Sequence, residues 1–169
     1  LPLCPLDIAK PPRSYASPGW SEMTVTRDLA ILYALTTEAR LGPKAVAGLI
    51  AHYGEPTAMW MADTVEIAEV AGVAEENMEK IDGARNMTDA LVEDLELMID
   101  RGTIPIPITA REYPERLLAL PDPPSILYVR GALPPAHART VAVVGTHQAD
   151  AEGIADAVRW GKGLAERNI

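Results

Sequence analysis

One cysteine, three histidines and no apolar run of membrane-spanning length set the first limits on this chain of 169 residues. Cys4 stands alone, so neither an internal disulfide framework nor a paired-cysteine metal site is available. His52, His137 and His147 have no ligand spacing with one another or with Cys4, and no metal or cofactor is expected. No segment approaches the roughly 18 uninterrupted apolar residues that cross a bilayer. The opening Leu1-Pro2-Leu3-Cys4-Pro5 lacks the basic stretch and apolar core of a secretory signal. A reduced, cytoplasmic protein without membrane contact is the expectation. Catalytic signatures are missing as well. Ser14, Ser17, Ser21 and Ser125 have no nucleophile-elbow context. Glu75, Glu76 and Glu79, and later Glu93, Asp94 and Glu96, have no histidine or glycine turn beside them and read as a solvated helix face. No catalytic residue is expected, and hence no enzyme.

What is present is a globular balance, with 48% apolar and 23% charged residues, in a length that allows one ordinary domain or two small ones. The net charge of −9 is unevenly placed. Residues 23–101 hold six basic and fifteen acidic side chains, whereas residues 1–22 and 102–169 are each neutral. The acidity is confined to one module, and the rest of the chain remains able to accept an anion.

Residues 1–22 carry prolines at 2, 5, 11, 12 and 18 and no apolar periodicity, which predicts a disordered leader, with Met23 as the natural start. From Thr26 the pattern is helical, with Leu29, Leu32, Tyr33 and Thr36 on one face. Gly42-Pro43 restarts the chain as a second helix to about Tyr53, closed by Gly54. Short helices follow around Pro56–Met61 and Thr64–Val70, then one long stretch from about Ala74 to Asp100 with Gly83 as a weak point and Gly102 as terminator. Met59, Trp60 and Met61 read as core residues of this bundle.

Downstream, Ile104, Ile106 and Ile108 alternate with Pro105 and Pro107, which admits only an extended edge segment. Tyr113-Pro114 opens a short helix with Leu117, Leu118 and Leu120. Ile126–Val129 and Val141–Val144 read as strands buried on both faces, and Ala151–Arg167 as a helix that covers them with Ile154, Ala155, Val158 and Leu164. The fold class expected is therefore α/β: a small all-helical domain over 23–102, followed over 103–169 by the truncated start of a doubly wound parallel sheet.

Two places could hold a phosphate. Glu38–Ile50, with a looser copy at Glu69–Val73, looks like a helix-hairpin-helix, whose glycine turn aims amides at DNA. Arg40 and Lys44 are the only cations near its first turn in an acidic module, so a structural turn is the better reading. The second place is Gly145-Thr146-His147-Gln148, between an apolar run and a helix start, where backbone amides could cradle an anion. No second glycine arrives until Gly153 and no Lys-Ser/Thr follows, which excludes a dinucleotide fingerprint and a P-loop. An ordinary strand-to-helix turn fits the spacing equally well.

The string Ile106-Pro107-Ile108, Tyr113-Pro114-Glu115-Arg116-Leu117, Asp122-Pro123-Pro124, Leu127-Tyr128-Val129-Arg130-Gly131 and Val141-Ala142-Val143-Val144-Gly145-Thr146 resembles the DNA-processing protein A (DprA/Smf) family in order and spacing. The module 24–101 also looks like that family's N-terminal sterile-alpha-motif or helix-hairpin-helix domain. The resemblance implies a Rossmann-like domain and a cytoplasmic protein that binds single-stranded DNA and loads a RecA-type recombinase during natural transformation. It implies a homodimer in the full-length protein. It assigns phosphate binding to Gly145, Thr146, His147 and Gln148. The family turn reads Gly-Ser/Thr-Arg; His147 replaces the arginine, Gln148 a frequent second basic residue, and Asp150 and Glu152 the usual Ser/Thr and Tyr. Imidazole in place of guanidinium implies weaker, pH-dependent phosphate binding.

The family's later β-α units are not in these residues, so a fragment of a longer protein or a degraded, inactive copy is expected, with the acidic bundle as a partner-docking or autoinhibitory module. Two competing functions stay open. A nucleotide-binding enzyme like the nucleoside-monophosphate phosphoribohydrolases would need a Pro-Gly-Gly-x-Gly-Thr segment. A helical interaction protein would carry residues 126–169 as a poorly stable vestige.

Overall fold

The computed structural model describes residues 25–74, 76–167 and 169. The leader expected over 1–22, with Cys4 and the start at Met23, lies outside the described residues, as does Glu75. The chain divides into two compact units, one ending at Leu133 and the other spanning Pro134–Ile169.

The first unit is built around α1 (Arg27–Thr37). Thr26 caps it, its Oγ1 accepting from the Leu29 N–H at 3.2 Å, and Asp28 sits in the first turn where the helix dipole favours a carboxylate. Leu29, Ala30, Ile31, Leu32, Ala34 and Leu35 are all buried, a wider arc than a single apolar stripe provides. The arc is explained by the neighbours: α1 touches α2 (Pro43–Tyr53), α3 (Pro56–Met61), α5 (Glu76–Asn86), α6 (Thr88–Asp100) and both strands. The chain leaves α1 through Arg40, whose φ of 52° is left-handed, while the Leu41 N–H reaches back to the Leu35 carbonyl at 2.9 Å. Pro43 at the first position of α2 then restarts the helix, as expected from the sequence.

Asp63 caps α4 (Thr64–Ala71), accepting from the Val65 N–H at 2.8 Å. Gly72, at φ 63°, ends α4 while the Val73 N–H bonds the Ala68 carbonyl at 3.1 Å. Arg85 of α5 fastens this corner. Its guanidinium donates to the Ala62 carbonyl at 2.7 Å and to Thr64 Oγ1 at 2.8 Å, and lies 5.7 Å from the centre of the Trp60 ring. The long helix expected over 74–100 is two helices. The break falls at Met87, whose backbone (φ −104°, ψ 7°) is not helical and whose N–H closes a tight turn on the Ala84 carbonyl. Gly83 is carried inside α5 without interrupting it.

The core is aliphatic, as a sequence without phenylalanine requires: Leu29, Ile31, Leu32, Leu35, Val46, Leu49, Met59, Ile67, Ile81 and Leu95 are fully or almost fully buried. Ile126 joins them from β2 (Ile126–Arg130). A second cluster forms from Ile104, Ile106 and Tyr113, with Leu117, Leu127 and Val129 packed against it. Tyr113 anchors the connection between the strands by donating its hydroxyl to the Pro124 carbonyl at 2.6 Å.

The sheet corrects the expected fold class. Among the described residues it has two strands, β1 (Thr103–Pro107) and β2, paired antiparallel from Thr103 opposite Arg130 to Pro107 opposite Ile126. The molecule is mainly helical with this small sheet. It is not a Rossmann-type, doubly wound parallel sheet. Val141–Val144 forms no strand: it pairs with no neighbour, and Val141, Val143 and Val144 are exposed at 59%, 53% and 87%. An apolar, β-branched run has the composition of a strand, but the ladder exists only where a second backbone supplies its hydrogen bonds. In α8 (Ala151–Ala165), Ile154 and Val158, expected to be covered, are exposed. The short helix after Pro114 is α7 (Glu115–Leu118), which stops before Leu120.

The ladder also explains how two prolines fit in β1. The Ile108 N–H bonds the Ser125 carbonyl at 2.8 Å, and in an antiparallel pair the bonded positions alternate. Ile104 and Ile106 therefore face β2 with their N–H groups. Pro105 and Pro107 fall at the positions that point away, where no donor is needed.

Candidate nucleic-acid interface

Gly145, Thr146, His147 and Gln148 lie in a connection that leads into α8, and all four are exposed. His147 and Gln148 form a turn, with Thr146 Oγ1 3.4 Å from the Gln148 N–H that it accepts. Gly145 keeps a φ outside the left-handed range, and a Cβ there would meet nothing within 4 Å. The glycine is thus not required by the conformation of the turn. What its small size leaves is open access to the backbone.

The helix start is occupied from within the chain. Asp150 is the N-cap of α8; its Oδ1 accepts from the Gly153 N–H at 2.8 Å, and its carbonyl accepts from Ile154 at 3.0 Å. The carboxylate holds one of the amides that an anion would use and adds a negative charge beside the dipole's positive end. Glu152 follows in the first turn. The four residues expected to hold a phosphate are therefore contiguous and accessible, but they stand next to a helix whose N-terminus is already satisfied by a carboxylate. In the sequence Asp150 stands out only as a replacement for the usual Ser/Thr; its role as the cap of α8 is visible in the structure. The spacing Asp150 to Gly153 was the available signal.

The hairpin between α1 and α2 reads as structure. Ala39, Leu41 and Val46 go into the bundle core, and Arg40 and Lys44 are exposed beside a glycine cap that makes no side-chain bond. Around the bundle, electrostatics bear mainly on the tyrosines. Burial pushes the Tyr33, Tyr53 and Tyr113 hydroxyls up, Tyr33 further through Asp94 and Glu38, and Tyr53 through Glu66. Tyr128 is pushed up to about 12 by burial and by its neighbour Tyr33. Among the described residues no group of three or more His, Cys, Asp or Glu could hold a metal ion. Among them, too, no helix is long and apolar enough to cross a membrane.

Comparison with known proteins gives one family. The model described as DNA recombination-mediator protein A matches residues 105–169, the stretch from β1 through the Gly145–Gln148 connection to the end of α8. No curated protein matches, and no solved structure matches. Residues 105–169 are thus similar to the DNA recombination-mediator protein A family.

Proposed function

We propose that this chain is part of a cytoplasmic, non-enzymatic mediator that binds single-stranded DNA and passes it to a RecA-type recombinase during natural transformation, acting as a homodimer. Gly145, Thr146, His147 and Gln148 contact the phosphates. The observation that carries the reading is the family match over 105–169, which spans the whole connection and α8. The exposure of all four residues supports it. The contact is weak in this member, because residues 145–148 bring an imidazole and no guanidinium, and Asp150 places a carboxylate on the helix start. The acidic bundle serves as a docking or restraining module for a partner. Deletion of residues 23–101 with no change in DNA or recombinase affinity would remove that role.

The test is a fluorescence-anisotropy titration of a labelled single-stranded oligonucleotide at low and moderate salt, against the chain and its His147→Arg variant. Salt-sensitive binding that tightens in the variant is expected. Absence of binding by both at low salt would refute the assignment of the phosphate contact to these residues.

A further inference from the structure

Trp160 stands on a side of α8 that the apolar positions Ile154 and Val158 do not use, and it is 61% exposed. It lies about 120° round the helix from Ile154 and about 160° from Val158, so a partner laid over that pair would leave the indole open. Its neighbours one turn away include Ala157 and Gly163, which have little or nothing to lay across the ring. Tryptophan is highly buried in most folds, and here it is not. Charge is arranged round the ring. Arg167 folds back along the helix, its Nη1 donating to the Gly163 carbonyl at 2.8 Å, and a side chain at Gly163 would meet that same nitrogen at 3.7 Å. The guanidinium is thereby held at the turn that follows Trp160, on the same side of the helix. Asp156, the carboxylate one turn before the ring, is paired with Arg159 at 3.0 Å. The same side leads back to the connection. Gly153 is in line with Trp160, two turns or ~10 Å earlier. A side chain at Gly153 would meet Asp150 Oδ1 at 3.3 Å and Ala149 Cβ at 3.6 Å, so the chain that carries Gly145–Gln148 reaches α8 along this side.

We propose that the indole of Trp160 is a stacking platform for a base of single-stranded DNA, with the Arg167 guanidinium as the cation beside it. The site rests on the reading that Gly145–Gln148 contact the phosphates, and extends it from backbone to base. Every base has a π-face, so an exposed ring accepts any of them without reading sequence. Arg167 can lie against the stacked base or reach the phosphate next to it. A duplex keeps its bases stacked on one another and out of reach, so the platform selects the single strand. It also supplies what an imidazole turn lacks, an attraction that salt does not screen. The carboxylate nearest the ring does not oppose the strand, because Arg159 answers it.

The experiment compares two labelled strands of equal length, oligo(dT) and a strand of abasic sites with the same phosphates, by anisotropy against the full chain, Trp160→Ala and Trp160→Phe. The chain is expected to bind oligo(dT) roughly fivefold or more tightly than the abasic strand. Trp160→Ala lowers oligo(dT) binding to the abasic level and keeps the salt dependence, since no phosphate contact is removed. Trp160→Phe retains part of the preference. Intrinsic fluorescence gives a second readout: oligo(dT) quenches the chain, and the quenching is lost in Trp160→Phe, although Trp20 and Trp60 remain. Equal binding of the two strands by the unmodified chain overturns this proposal and leaves the phosphate reading intact. A preference for oligo(dT) that persists in Trp160→Ala also overturns it, and assigns the stacking to another ring. Absence of binding to either strand overturns it together with the reading on which it rests.

Discussion

Replacing Asp150 by asparagine separates two roles that the carboxylate combines. The amide oxygen of asparagine can still accept from the Gly153 N–H, now bonded to Asp150 at 2.8 Å, so the cap of α8 survives. What is lost is one negative charge at the helix start. A phosphate using the neighbouring amides would lie ~6 Å from that charge. Two unit charges at this distance in water repel by an amount worth roughly threefold in affinity, and the exposure of the site keeps the effect near this lower limit. Asp150→Asn is therefore expected to tighten single-stranded DNA binding roughly threefold at low salt, with the gain shrinking as salt rises. The assay is the anisotropy titration, with circular dichroism to establish that helix content is unchanged. Asp150→Ala is the contrasting variant, since it removes the charge and the cap together and lowers helix content. If Asp150→Asn left affinity unchanged at low salt while His147→Arg raised it, the phosphate would contact the turn without approaching the α8 terminus, and the electrostatic reasoning would be wrong.

Other expectations concern stability. Leu35→Ala empties a position that is fully buried where α1 meets its neighbours, and should cost about 2–5 kcal/mol in urea unfolding followed by circular dichroism; a loss below about 1 kcal/mol would contradict the placement of α1 at the centre. Arg85→Met keeps much of the aliphatic stem but deletes the bonds to the Ala62 carbonyl and Thr64 Oγ1; a loss of about 1–3 kcal/mol is expected, and full stability would show that the α3–α4 corner needs no such tie. The tyrosines should make the fold sensitive to base. Tyr33, Tyr53, Tyr113 and Tyr128 all have hydroxyls raised above the usual 10, so their contribution is fully present below pH 10 and is lost as pH rises through the folded values, that of Tyr128 being about 12. Phenolate absorbance should lag behind free tyrosine and then rise with unfolding, whereas simple titration near 10 in a folded chain would refute the burial assignments.

The helices were legible because their punctuation is chemical. Thr26, Gly42-Pro43, Gly54 and Gly72 each supply a cap, a start or a left-handed stop that works locally, and α1, α2 and α4 begin or end where these residues stand. The break at Met87 carries no such mark: Gly83, the weaker helix former, stays helical, and the irregular residue is one of ordinary propensity. The sheet was legible only in part. Prolines at alternate positions announced an edge, and β1 is one. Composition also made Val141–Val144 look like a strand, yet strand formation depends on a partner elsewhere in the chain, which no local pattern encodes. At the candidate interface the four residues could be named from the sequence. The internal cap at Asp150, which changes what they can do, depends on a hydrogen bond that the sequence states only as a spacing.

The central position of α1 has a consequence for how the first unit comes apart. One helix touches α2, α3, α5, α6, β1 and β2, so no neighbour can lose its packing without exposing part of the same apolar arc. Bundle and sheet are thereby coupled through a shared keystone, and thermal melting should report them as one transition, with the α1 amides the slowest to exchange with solvent.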